Sequence, residues 1–192
     1  MLMILRLSAC IVAAVLVAAC AEPPNKEIDQ AQGAIDAARA AGADRYAATE
    51  YTAATDALKR AQEAVTQRDY RQALNEALDS REHAQNSARE AADTRAQLRG
   101  EVERDMAQIA ALIAEANTRL SGAPRTRVAR RALEGARKEL AAVDASVQKA
   151  GAAMRADDYL AARTALQGVK ERIATAMRAL EPPPSQTSRR TR

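Results

Sequence analysis

The chain has 192 residues, of which 49 are Ala, four are Tyr and none is Trp or Phe, so it lacks the bulky apolar side chains of a wide core. That bias excludes most β folds, because strands draw on aromatic and β-branched residues, and it predicts an all-α protein. The formal charge of +4 is carried by Arg6, Arg189, Arg190 and Arg192 at the two ends; the neutral body, nearly free of rings for stacking on bases, argues against a nucleic-acid partner.

Residues 1–19 read as a lipoprotein signal peptide, with Arg6 near the start and an apolar run from Leu7 to Ala19. The run's thirteen residues fall short of the roughly 20 apolar residues that a membrane-spanning helix needs. The run closes in Leu16-Val17-Ala18-Ala19-Cys20, which resembles a bacterial lipobox: an aliphatic residue and two small ones before a Cys. Small side chains admit the extended segment to a signal peptidase, and only a thiol can carry a thioether-linked diacylglycerol. Cys10 leaves with the signal, so Cys20 is the sole thiol of the mature chain and the expected lipid attachment, with palmitate among its acyl chains. The membrane is then a partner through that lipid. By the sorting pattern of lipoproteins that this segment resembles, Ala21 after the Cys implies the outer membrane, facing the periplasm. Residues 20–25 form the lipidated tether.

Apolar and small residues then recur at alternating spacings of three and four. Ile28, Ala31, Ile35 and Ala38 mark a first helix, closed by Gly42 as a C-cap. Ala47, Tyr51, Ala54, Leu58, Ala61 and Val65 mark a second. A third begins with Tyr70, Ala73, Ala77, Ala84 and Ala91, and continues through Leu98, Val102, Met106, Ile109, Ile113, Ala116 and Leu120 to Ser121-Gly122-Ala123-Pro124. A fourth runs from Ala129 through Leu133, Ala136, Leu140, Val143, Val147 and Ala150 to Met154. A fifth carries Tyr159, Ala162, Leu166, Val169, Ile173, Ala176 and Leu180. The near-heptad spacing predicts an elongated, coiled-coil-like antiparallel bundle: two three-helix layers, 26–92 and 93–181, sharing the long third helix. Pro182-Pro183-Pro184 ends the helical pattern, and 182–192 reads as a disordered Pro/Arg tail.

An internal repeat lies at an offset of 89 residues, pairing 50–91 with 139–180 without a gap. Glu50, Asp69, Tyr70, Ala73, Glu82 and Arg89 match Glu139, Asp158, Tyr159, Ala162, Glu171 and Arg178. The common unit is helix, Asp-Tyr turn, helix. Similar turns occur in tetratricopeptide repeats, but the 34-residue period and terminal Pro of those repeats are missing.

Gly42-Ala43-Asp44-Arg45-Tyr46-Ala47, Glu50-Tyr51, Ala54, Leu58, Ala61, Asp69-Tyr70, Ala73 and Ala77 carry a resemblance over residues 25–92. This segment resembles the bacterial family known as domain of unknown function 4398, whose members are Ala-rich helical envelope proteins, commonly lipoproteins. The family often has Pro after the Tyr-Ala step, where this chain has Ala48. The resemblance implies location and fold and carries no activity.

Catalytic chemistry is not expected. His83 is the only His, without a second His or spare Cys to share a metal or a proton, and is expected at the surface. Glu101/Asp105 and Asp157/Asp158 are placed to solvate a helix face or cap a helix end. No glycine-rich phosphate loop and no nucleophile elbow occurs, so no enzyme activity, cofactor or metal is expected. Tyr46, Tyr51, Tyr70 and Tyr159 stand near helix turns, where they cover hairpin ends or serve as interface anchors. On the fourth helix Arg127, Arg130, Arg131, Arg137 and Lys138 share an arc of about 120° turned away from the Leu133/Leu140 seam. That arc is either a solvated face, a surface for the acidic first half of another copy, or an anion-binding ridge for lipopolysaccharide, anionic lipid or peptidoglycan. Residues 21–92 carry 9 Lys+Arg against 13 Asp+Glu, and residues 93–188 carry 16 against 12. The expected function is a lipid-anchored scaffold, or a module binding an envelope protein. The alternatives are a binder of anionic envelope polymers and an accessory regulator of a cell-wall enzyme.

Overall fold

Helix formation begins at Asn25, directly after Pro24, and every described element is helical. A computed structural model describes residues 22–122 and 127–181; the expected signal segment, Cys20, Arg125 and the Pro/Arg tail lie outside the described residues, as does the side chain of Arg127. The elements are α1 (Asn25–Ala40), α2 (Ala43–Tyr46), α3 (Ala48–Thr66), α4 (Tyr70–Gly122), α5 (Arg127–Arg155), α6 (Tyr159–Leu166) and α7 (Val169–Ala179). The all-α class and the long central helix match the patterning, with α4 running 53 residues. Two compact units meet after Thr94, and α4 contributes its first part to one and its remainder to the other.

In the first unit α1 carries Glu27 in its first turn and Arg39 in its last, each complementing the helix dipole. Gly42 ends it at φ +84°, with its N–H bonded to the Arg39 carbonyl at 2.8 Å. A Cβ at Gly42 would also come within 3.2 Å of the Tyr46 ring, so both backbone and space favour glycine there. The single turn α2 then carries Tyr46 into the core. That core is built from small residues: Ala31, Ile35 and Ala38 of α1, Ala54, Ala57, Leu58, Ala61 and Ala64 of α3, and Ala73, Ala77, Ala84 and Ala91 of α4.

Two polar residues complete the α4 row. Ser80 and Ser87 are fully buried, in register with Ala73, Ala77, Ala84 and Ala91. Ser80 Oγ donates to the Ala54 carbonyl of α3 at 2.8 Å, and Ser87 Oγ to the Ala84 carbonyl of its own helix at 2.8 Å. Both hydroxyls are satisfied, as buried polar groups must be. A Ser Oγ reaches only one atom beyond Cβ, so its bond to an α3 carbonyl marks a close approach of the two backbones.

The second unit has larger side chains in the same positions. Val102, Ile109 and Ala116 of α4, Leu140, Val143 and Ala150 of α5, and Ala162, Leu166, Val169, Ile173 and Met177 of α6 and α7 form one apolar cluster. Here the structure corrects the expected fifth helix, which is not continuous. It breaks at Gln167-Gly168, whose angles (−60°, 129°; 71°, 1°) are those of a type II turn. Gly168 supplies the positive φ that this turn requires, and the apolar spacing runs through the break unchanged because Leu166 and Val169 both stay buried. The matching position in the first unit is Asp79, inside unbroken α4. Gly168→Ala should therefore destabilise the second unit by about 1–2 kcal/mol, the usual cost of left-handed backbone for an L residue. Nothing lies within 4 Å of the added methyl, so chemical denaturation of this variant would report backbone strain alone.

Candidate functional site

The two Asp-Tyr turns are the same structure built twice. Arg68 (φ 60°) and Asp157 (φ 55°) occupy the left-handed position, 89 residues apart. The N–H of Asp69 bonds the Ala64 carbonyl and that of Asp158 the Ala153 carbonyl, each at 2.9 Å. The N–H of Arg68 bonds the Val65 carbonyl at 3.0 Å, and that of Asp157 the Met154 carbonyl at 3.2 Å. Each pair of bonds is a Schellman closure of the helix before the turn. The same Asp opens the helix after it: Asp69 Oδ1 accepts from the Gln72 N–H at 2.9 Å and Asp158 Oδ1 from the Ala161 N–H at 3.0 Å. Every partner in one turn is offset by 89 from its counterpart, so the repeat read from the sequence extends to the hydrogen bonds.

The repeat also keeps a cross-helix contact between a Glu carboxylate and a basic side chain. Glu139 of α5 accepts from the Arg172 guanidinium of α7 at 3.0 Å, and the corresponding Glu50 of α3 meets His83 Nδ1 of α4 at 2.8 Å. His83, with 39% of its side chain exposed, stands at the surface as expected and also ties two helices together. Its signal in the sequence was the alignment with Arg172, a cation matched to a residue that can become one. A second tie recurs in looser form. Arg81 of α4 donates to Gln30 of α1 at 2.8 Å, and the matching Lys170 of α7 pairs with Asp105 of α4 at 2.5 Å. Glu101, the other member of that expected carboxylate pair, stays exposed.

The four tyrosines divide by burial. Tyr46 and Tyr159 are buried, with Arg45 and Arg95 lying over their rings at 5.5 and 5.9 Å. The Tyr159 hydroxyl donates to Asp157 Oδ1 at 2.6 Å; this bond, then burial and the Asp157 charge, hold the phenol above the ordinary tyrosine range. Tyr51 is half-buried and accepts from Arg39 Nε at 2.7 Å, while Tyr70 is half-buried at the start of α4. Only Tyr51 and Tyr70 retain surface that an interface could use.

Arg130, Arg131, Arg137 and Lys138 are all exposed on α5, opposite buried Ala136, Leu140 and Val143. Among the described residues none of these four forms an ion pair, and Glu134 in their midst pairs with neither Arg130 nor Lys138. The ridge is therefore uncompensated along its own helix.

Among the described residues no group of three or more His, Cys, Asp or Glu side chains is placed to hold a metal ion, and no helix is long and apolar enough to cross a membrane. No family model, curated protein or solved structure matches the chain.

Proposed function

We propose that this chain is a lipid-anchored, non-enzymatic helical scaffold of the bacterial envelope. The observation that carries the reading is the sequence Leu16-Val17-Ala18-Ala19-Cys20, in which aliphatic residues and two Ala precede the only thiol of the expected mature chain. The fold agrees with such a role. Asp69 and Asp158 cap helices, Glu139 ties α5 to α7 through Arg172, and the single His is engaged with Glu50. The resemblance of residues 25–92 to an envelope lipoprotein family supports the same location. Each repeated hairpin has exposed faces that suit a protein partner.

Cys20→Ser removes the only atom that can accept the lipid. Expressed in a Gram-negative host, the wild-type protein is expected in the detergent phase on partitioning, and the variant in the aqueous phase or as an unprocessed precursor. With two or more acyl chains the anchor is effectively permanent, so the shift is expected to be nearly complete. Mass spectrometry that finds an unmodified Cys20 thiol on the wild-type mature chain would overturn the proposal.

A further inference from the structure

We infer that the basic face of α5 docks on an acidic row of α4 in a second copy of this chain. That row is Asp79, Glu82, Glu90 and Asp93, all exposed and, among the described residues, all without an ion pair. Asp79 and Glu90 are eleven residues apart on one line of the helix, and Glu82 and Asp93 eleven apart on a neighbouring line, a rise of roughly 16 Å along each. The cations of α5 form two lines in the same way. Arg130 and Arg137 stand on one, Arg131 and Lys138 on the other, with a rise of roughly 10 Å along each. The long flexible stems of Arg and Lys cover the difference in pitch. Two double rows of opposite sign, neither closed by an ion pair among the described residues, are complementary surfaces; exposed Arg89 stands on the Glu82 line as Glu134 stands in the ridge, so each row carries one charge of the other sign.

The chemistry of the two faces favours protein over the other anions of an envelope. A lipid surface would be met by large apolar side chains beside the cations, but the outward arc of α5 beyond Lys138 carries the small Ala141, Ala145 and Ala152. Glu134 within the ridge would repel a continuous polyanion, whereas a partner helix can leave a gap opposite it. On the acidic side, Leu78 is the one large hydrophobic residue left exposed among the described residues, one turn before Glu82. The balance of charge fits a self-complement as well. Residues 21–92 carry an excess of four acids and residues 93–188 an excess of four bases, so the two halves of the chain are opposite in charge. Because the two faces are different patches, the contact is heterologous and propagates from copy to copy unless it closes into a ring. The inference holds whether or not Cys20 carries lipid.

The test exchanges the charges. One full-length variant carries Arg130→Glu, Arg131→Glu, Arg137→Glu and Lys138→Glu; the other carries Asp79→Lys, Glu82→Lys, Glu90→Lys and Asp93→Lys. All chains are kept in one mild detergent and followed by sedimentation. Wild type is expected to associate at about 20 mM salt and to lose at least about tenfold in association constant by about 500 mM, as exposed charges are screened. Each variant alone is expected to sediment as a monomer, and an equimolar mixture of the two to associate again, because reversed meets reversed and native meets native. Circular dichroism checks that both remain helical; if a reversed chain loses helicity, Gln at the same four positions replaces it with the same expected loss. A wild-type monomer at low salt, association untouched by the reversals, or a mixture that stays monomeric would each overturn the inference. So would monomeric wild type that binds phosphatidylglycerol vesicles through the α5 cations, since the face would then belong to lipid.

Discussion

Ile173→Ala is expected to destabilise the second unit by about 2–5 kcal/mol, the range for truncating a fully buried Ile to Ala. Ile173 has no exposed surface and stands in one cluster with Val102, Ile109, Leu140 and Val143. It is also the central apolar residue of α7, a helix of 11 residues that follows α6 with only 8. Helices this short do not persist without tertiary contacts, so the cavity weakens the packing that keeps α7 helical. For a unit of this size each kcal/mol corresponds to about 4–8 °C in melting temperature, which puts the expected shift at about 8 °C or more. Hydrogen exchange localises the effect, with the loss of protection expected in α5, α6 and α7 and not in α1. A loss below about 1 kcal/mol with an unchanged denaturant slope would mean that the site collapses onto the smaller side chain. Ile173→Val, which keeps most of the volume, should cost no more than about 1.5 kcal/mol.

The elements that sequence reasoning captured are those in which a residue type and its spacing carry the same message. Gly42 ends α1 because only glycine accepts both φ +84° and the nearby Tyr46 ring, and its position after the last periodic Ala announces it. The Asp-Tyr turns were legible because Asp caps the second helix through its own side chain, a function that an aligned pair of Asp residues displays directly. Ser80 and Ser87 escaped because the seam was traced through apolar residues alone. The gaps of seven from Ala77 to Ala84 and from Ala84 to Ala91 held the signal, since a heptad seam needs a small residue between them. Gly168 escaped for the opposite reason. Gly33, Gly100, Gly135 and Gly151 all lie inside helices, so a further glycine in a periodic stretch did not stand out. The tie between His83 and Glu50 needed the two helices placed side by side, and only its repeat partner, Arg172 with Glu139, foreshadowed it. The basic arc of α5 was visible from angular spacing. Its acidic counterpart on α4 was not, because the four acids stand as two pairs with eight residues from Glu82 to Glu90 and with Arg89 among them.

The reciprocal substitution, Ala84→Ile, is expected to cost the first unit about 1–3 kcal/mol or more through overpacking. Ala84 is the repeat counterpart of Ile173, 89 residues earlier, and both are fully buried, Ala84 on α4 and Ile173 on α7. Their surroundings differ in one consistent direction. Where the second unit has Val143, Leu166 and Val169, the first has Ala54, Ala77 and Ser80. Smaller side chains let α3 and α4 come close enough for Ser80 to bond the Ala54 carbonyl, and that approach leaves no room for three more carbons at Ala84. An Ile there must either adopt a strained rotamer or push the helices apart. In the second case Ser80 Oγ loses its partner, adding the cost of an unsatisfied buried hydroxyl, about 1–3 kcal/mol. The two substitutions thus separate two ways of filling the same repeat. If packing is set by the spacing of the helices, Ile is harmful in the first unit and Ala is harmful in the second. Equilibrium unfolding of Ala84→Ile, read beside exchange at the amides around Ala54, distinguishes the outcomes. A variant as stable as wild type, with those amides unchanged, would show that the Ala seam holds spare volume and that close backbone approach does not set the fold of this unit.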